Sequence, residues 1–290
     1  MWVAEEKMMA LKQIFLVFLT LLLSPVPKVS ALTVVTNFIG GAAPANTSGG
    51  GNLVEIVNAA ARIWEAAYSD PGTITISFGW APVGDAGTHT LVEQGGIPHR
   101  EIAGIIFFDN SGAVAFYLDP TPNSDEEYRR RTEEYQDLGG GLVNVARVFS
   151  SPVGDALGHV DLLSVAIHEI GHALGMSAAN SAFMKEGIQG AIRLSGDLPF
   201  AGTIIPLATN TAGITSHFDA LAVTYGSVMG GIGGDERRIP SALDILANAQ
   251  VSGFTMLNLD PQQTPPSRVA PSRGVGHSDA AVPAQRSARR

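Results

Sequence analysis

Three stretches of this chain repeat their apolar positions with a helical period. In "NLVEIVNAAARIWEAAYSD", Leu53, Ile56, Val57, Ala60, Ile63, Trp64 and Ala67 share one face behind Asn52, a candidate N-cap. "DLLSVAIHEIGHALG" is apolar almost all round, as a buried helix should be, with Asp161 as cap and Gly175 as stop. "SALDILANAQVSG" predicts a third helix starting at Pro240 or Ser241. Strands are predicted in "LTVVTNF" (32–38), "TITISFGW" (73–80), "AGIIFFDN" (103–110) and "AVAFYLD" (113–119), the last two around an Asn110-Ser111-Gly112 turn. "SDEEYRRRTEEYQDLGG" is charged throughout and reads as a solvated helix or loop. "GLVNVARVFSS" reads as a short strand or turn, and 176–216 as loops with weak strands such as "GTIIPLAT". The order predicts an α+β fold: a mixed twisted sheet, a central buried helix, and a C-terminal subdomain ending in a helix.

The first residues break this pattern. Lys7 and Lys12 precede the apolar run "IFLVFLTLLL" (14–23), and "SPVPKVSA" follows, ending in small residues. The run is too short to span a membrane and suits a signal peptide, with cleavage expected after Ala31. The protein is therefore expected to be secreted or periplasmic, with no stable membrane anchor after cleavage. At the other end, 261–290 is rich in Pro, Ser, Arg and Ala without periodicity, which predicts a disordered tail. Residues 32–260 remain as one folded domain, divisible into 32–175 and 176–260.

Composition narrows the chemistry. At 45% hydrophobic and 16% charged the body should be globular. The absence of cysteine excludes disulfides, thiolate metal sites and a cysteine nucleophile. Residues 32–260 hold 24 acidic and 10 basic residues, a net of −14, so nucleic acid is not an expected partner.

The candidate chemistry lies in His168-Glu169-Ile170-Gly171-His172. Residues four apart on a helix share a face, so His168 and His172 can aim two imidazoles at one zinc ion. Glu169 is rotated one position away, within reach of a water on that ion, whose pKa zinc lowers to about 7. Two histidines and a glutamate on an otherwise apolar helix need partners for their polar atoms. A third ligand must come from elsewhere, because three residues beyond Gly175 stands Ala178. His217 is the one histidine between His172 and the tail, and Met229 follows it in "GSVMGG". Asp219 and Glu186 are alternative third ligands, and Asp219 could instead orient His217. His89, His99 and His159 fall in loop-like segments and read as surface residues. Tyr225 is expected to pack.

The helix motif ending at Gly175, followed by His217 and Met229, resembles the metzincin zinc metalloproteases, in particular leishmanolysin-like and related bacterial secreted enzymes. In these an insertion separates the glycine from the third histidine. The resemblance covers about Asp161 to Ile232. It implies a metzincin-like zincin fold with His168, His172 and His217 as metal ligands, Glu169 as the catalytic base and Met229 as the Met-turn methionine. The implied activity is that of a zinc endopeptidase acting on protein or peptide as a monomer, the substrate lying along an exposed sheet edge such as Ala103–Asn110. Structural calcium is found in related enzymes, but no loop here is assigned to it. A zinc-bearing surface or adhesion module of the same fold, without activity, is the alternative.

Overall fold

The computed structural model describes residues 31–211 and 213–261. The proposed signal segment before Ala31 and the proposed tail after Pro261 lie outside the described residues. The first sheet has four strands: β1 (Leu32–Gly40), β2 (Gly72–Ala81), β3 (Gly87–Gly95) and β4 (Arg100–Asp109), in the order β1-β2-β4-β3. β1, β2 and β4 run parallel, while β3 is antiparallel at the edge. The sheet is thus mixed.

β1 and β2 are joined by helix α1 (Leu53–Ala67), whose cap is the predicted one: the Asn52 side chain accepts from the Glu55 amide at 3.0 Å. Its apolar face, including Ile56, Ala60 and Trp64, is fully buried. Trp64 reaches helix α2 (Leu162–Ala173), donating from its indole nitrogen to the Ile167 carbonyl at 2.9 Å. Every residue of α2 is buried, as its apolar surroundings in sequence required.

Short strands β5 (Phe116–Tyr117) and β8 (Val160–Asp161) pair just before α2. β6 (Tyr128–Asp137) and β7 (Leu142–Pro152) form a long antiparallel hairpin, extended on the β7 side by β12 (Arg237–Ile239). After α2 come a short helix α3 (Ser181–Glu186) and a sheet of β9 (Ala191–Arg193), β10 (Ile204–Asn210) and β11 (Gly213–Phe218). Helix α4 (Ala242–Ser252) closes the fold; it starts on a Ser241–Asp244 capping box and stops at Gly253, whose φ of 66° is left-handed.

Three expectations are corrected. The charged stretch expected as helix or loop is strand β6, because the buried face of β7 and its ladder decide the conformation, not the solvent-facing arginines and glutamates. The strand expected over Ala113–Asp119 shrinks to two residues. Ala103–Asn110 is not a sheet edge: up to Asp109 it belongs to β4, which has β2 and β3 on either side. The edge is β3, read from sequence as loop because its alternation is carried by threonines rather than large apolar residues.

Candidate metal centre

Helix α2 is fixed at its start by charge. The Asp161 side chain accepts from the Ser164 amide at 3.0 Å, as a cap should, and also from the Arg237 guanidinium at 3.0 and 3.2 Å. Arg237 is wholly buried; it also bonds Asp119, Asp125 and the Ser124 carbonyl, and lies over the Tyr128 ring. The buried carboxylates of Asp119 and Asp161 thus share one guanidinium as their cation.

About two and three turns further on, His168 and His172 point their Nε2 atoms at each other, 3.0 Å apart. His217, on β11, brings its Nε2 to 3.2 Å from that of His168. One nitrogen from each of the three lies within 4.8 Å of the others, and no other such His, Asp or Glu group occurs among the described residues. The remaining ring nitrogens show what the facing ones are. His168 Nδ1 is 2.7 Å from the Val228 carbonyl, and His172 Nδ1 bonds the Met176 carbonyl. A carbonyl oxygen only accepts, so each Nδ1 carries the proton and each neutral ring leaves Nε2 as a bare lone pair. The 3.0 Å contact is therefore two lone pairs facing each other. Protonation is opposed: burial, followed by the His217 charge, pushes the His168 pKa down to about 3, and burial holds His172 well below its usual value and lowers His217. A cation resolves the conflict. Tetrahedral zinc with Zn–N near 2.0–2.1 Å separates its ligand nitrogens by about 3.3 Å, close to both observed spacings. The donor set fits a metal ion such as zinc.

The ring-orienting carbonyls belong to two turns, and α4 holds both. Ser227 and the Met229 amide donate to Asp244 Oδ1 at 2.6 and 2.9 Å, fixing the turn at Val228. The Met176 amide donates to Asn248 Oδ1 at 3.2 Å, and Ser252 donates to the Leu174 carbonyl at 2.6 Å. Gly175 is required where this turn crosses α4: a Cβ there would lie 2.9 Å from both Asn248 Oδ1 and Ser252 Oγ. The Ala178 amide donates at 2.7 Å to Ser216 Oγ, the neighbour of His217. So the position at which the helix motif lacks a histidine anchors the strand that supplies one. Met229 is buried beneath α2 against Gly171.

Glu169 faces the same groove of about 930 Å³, between the start of β3 and the segments around β11 and Gly230–Ile232. It accepts no hydrogen bond from the described residues. Burial, then the negative charge of Asp85, raises its pKa to about 8 with no cation present. None of the described residues that line the groove is lysine or arginine.

The other candidates lie elsewhere. Asp219 lines the groove, but its Oδ1 accepts from the Leu221 amide and it is not in the three-residue group. Glu186 ends α3 and accepts from Gln250. Tyr225 is not packed: it is 66% exposed. Sequence reasoning missed Asp244 and Asn248, which look like ordinary polar positions of an amphipathic helix. It also placed His89 in a loop, whereas it lies on β3 beside His172.

Fold and site together define an α+β protein whose buried helix carries two members of a histidine triad able to hold a metal ion. No family model matches the chain, and no curated protein matches it.

Proposed function

We propose that this chain is a secreted zinc endopeptidase of the metzincin kind. The observation that carries the reading is the convergence of three imidazole Nε2 atoms, those of His168 and His172 bare, beside Glu169, whose carboxylate accepts no hydrogen bond among the described residues and opens on the groove. A purely structural metal site has no use for that carboxylate. When bound, zinc supplies a Lewis acid that acidifies a coordinated water and polarises the scissile carbonyl. His168, His172 and His217 would hold the ion through Nε2, the first two oriented by the Val228 and Met176 carbonyls. Glu169 takes the proton of the attacking water and passes it to the leaving amine. Next to a dication this carboxylate is ionised, because the positive charge offsets the burial that raises its pKa. The edge strand β3, with no strand on its outer side among the described residues, lines the groove at Gly87–His89, where an extended peptide can add as a further strand. A groove whose described lining holds no cationic side chain suits a peptide better than a phosphorylated substrate.

The test uses casein hydrolysis beside metal analysis. Glu169→Ala is expected to keep stoichiometric zinc and lose hydrolysis, and His217→Ala to lose zinc. Undiminished turnover by Glu169→Ala would sink the mechanism. A zinc-loaded parent that leaves casein and gelatin intact would point to the inactive module.

A further inference from the structure

Beside the metal groove lies a polar pair that the proposed chemistry does not use. His89 on β3 and Glu101 on β4 are joined by a 2.7 Å contact between Nε2 and Oε1, with side chains only 3% and 0% exposed. Room has been cleared for them: a Cβ on Gly104 would lie 2.1 Å from Glu101 Oε1 and 3.1 Å from His89 Nε2. A Cβ on Gly87, two residues before His89, would likewise lie 2.8 Å from Glu169 Oε1. β3 therefore meets α2 with no side chain opposite the base and with an imidazole opposite the ligand. The His89 ring lies 6.3 Å from that of His172, within 26° of parallel, and His89 lines the groove.

The pair is a poor device for stability alone. Glu101 Oε2 is buried without a partner among the described residues. Two apolar side chains of similar volume would hold the strand against the helix at least as well. A buried, hydrogen-bonded imidazole does something a leucine cannot: the bond to the carboxylate aims the ring and the packing around its 3% exposed side chain restricts rotation about that bond, so the surface it offers a neighbouring ring is held.

We propose that His89 and Glu101 form a positioning dyad, which locks the edge strand β3 against α2 and fixes the plane of the His172 imidazole for metal binding. This rests on the reading of the histidine triad as a metal centre. His172 is already held at Nδ1 by the Met176 carbonyl, which sets its direction but leaves rotation about that axis. The dyad supplies the second constraint from the sheet side. His89 takes no part as a ligand, since it lies outside the triad's nitrogen cluster.

Cobalt(II) titration of the metal-free protein, followed by its visible ligand-field absorption, reads both affinity and geometry. Glu101→Gln keeps an oxygen that can accept from His89 and is expected to stay within about twofold of the parent, with an unchanged spectrum. Glu101→Ala and His89→Ala should each weaken cobalt binding roughly tenfold and alter the spectrum, the lower end of the range for groups that orient metal ligands. Because a single alanine can leave a buried polar group unpaired, the joint variant His89→Leu/Glu101→Leu is included. It removes both partners, should fold, and should show the same loss as either single change. Parent-like cobalt affinity and spectrum in the joint leucine variant overturn the dyad. So do losses that multiply to about hundredfold in His89→Ala/Glu101→Ala, which would mean two independent residues. A parent that takes up no cobalt overturns the metal centre itself, and the dyad with it.

Discussion

Substituting Gly171 by alanine tests whether the helix is shaped for what lies beneath it. On propensity alone the change should stabilise, since alanine inside a helix is favoured over glycine by about 1 kcal/mol. In the folded protein the new Cβ would lie 2.4 Å from Met229 Sδ, 3.2 Å from Trp64 Cζ2 and 3.3 Å from Met229 Cε. Ordinary contact needs the sulfur to withdraw by about 1 Å, and Met229 and Trp64 are both fully buried. Overpacking of this kind costs about 1–3 kcal/mol, so the net expectation is a loss of about 0–2 kcal/mol. The sharper consequence is local. Met229 follows Val228, whose carbonyl orients His168, and its own amide is tied to Asp244. Moving the methionine moves the turn, and zinc affinity should fall about tenfold. Urea unfolding of the metal-free protein gives the stability, and competition with a chromophoric chelator gives the affinity. A Gly171→Ala protein stabilised by about 1 kcal/mol with parental zinc affinity would refute the reasoning, since it would mean that the methionine yields freely. In Gly171→Ala/Met229→Ala the two effects should not add, because the collision is gone.

In the metal-free protein, pH should act with two opposite signs. His168 is depressed from 6.5 to about 3, so its contribution is present above pH 6.5 and lost as pH falls through 3. Glu169 is raised from 4.5 to about 8, so its contribution is present below 4.5 and lost as pH rises through 8. The two slopes oppose each other between pH 4.5 and 6.5, where the lowered His172 and His217 tip the balance upward, so urea midpoints of chelated protein should rise towards pH 6.5 and fall between 6.5 and 8, and zinc should abolish the upper limb. A metal-free midpoint that climbs from pH 6.5 to 8 contradicts the assignment. Arg237→Met should leave Asp119 and Asp161 buried without their cation and cost about 3–5 kcal/mol by thermal or urea unfolding. A change below about 1 kcal/mol would show that the guanidinium does not hold the start of α2.

The parts of the fold legible in the sequence were those set by local rules. Asn52, Asp161 and Ser241 announce three helix starts by capping chemistry, and Gly175 one helix end. The facing of His168 and His172 follows from helical period alone. The proximity of His217 does not. It depends on a contact across 49 residues between α2 and β11, a strand that itself pairs with its neighbour β10, and spacing could offer it only as one of three candidates. β6 was illegible because its exposed side chains carry charge while its backbone is claimed by β7. β3 was illegible for the complementary reason: its inward positions are Gly87 and His89, a cleared space and a hydrogen-bonded imidazole. Both were chosen by what α2 presents to them, which a single strand's pattern cannot report.

The two orienting turns share one support, and that explains why α4 is buried so completely while holding no ligand. Asp244 and Asn248 are four residues apart and so project from the same face of α4, as His168 and His172 do from α2. Asp244 holds the turn whose Val228 carbonyl sets His168, and Asn248 holds the turn whose Met176 carbonyl sets His172. One i, i+4 pair thus addresses the other through two backbone segments, and the separation of the two imidazoles is copied from the register of a second helix. A shift of α4 by a residue would misplace both carbonyls at once, so its ends need fixing. The capping box at Ser241 fixes one end, with Asp244 itself as the reciprocal partner. The other is fixed by Arg100, which donates to the Ser252 and Gly253 carbonyls from the start of β4. Asp244 is therefore at once a helix cap and a support for the turn beneath the triad, so a helix that starts in register is also one that aims His168.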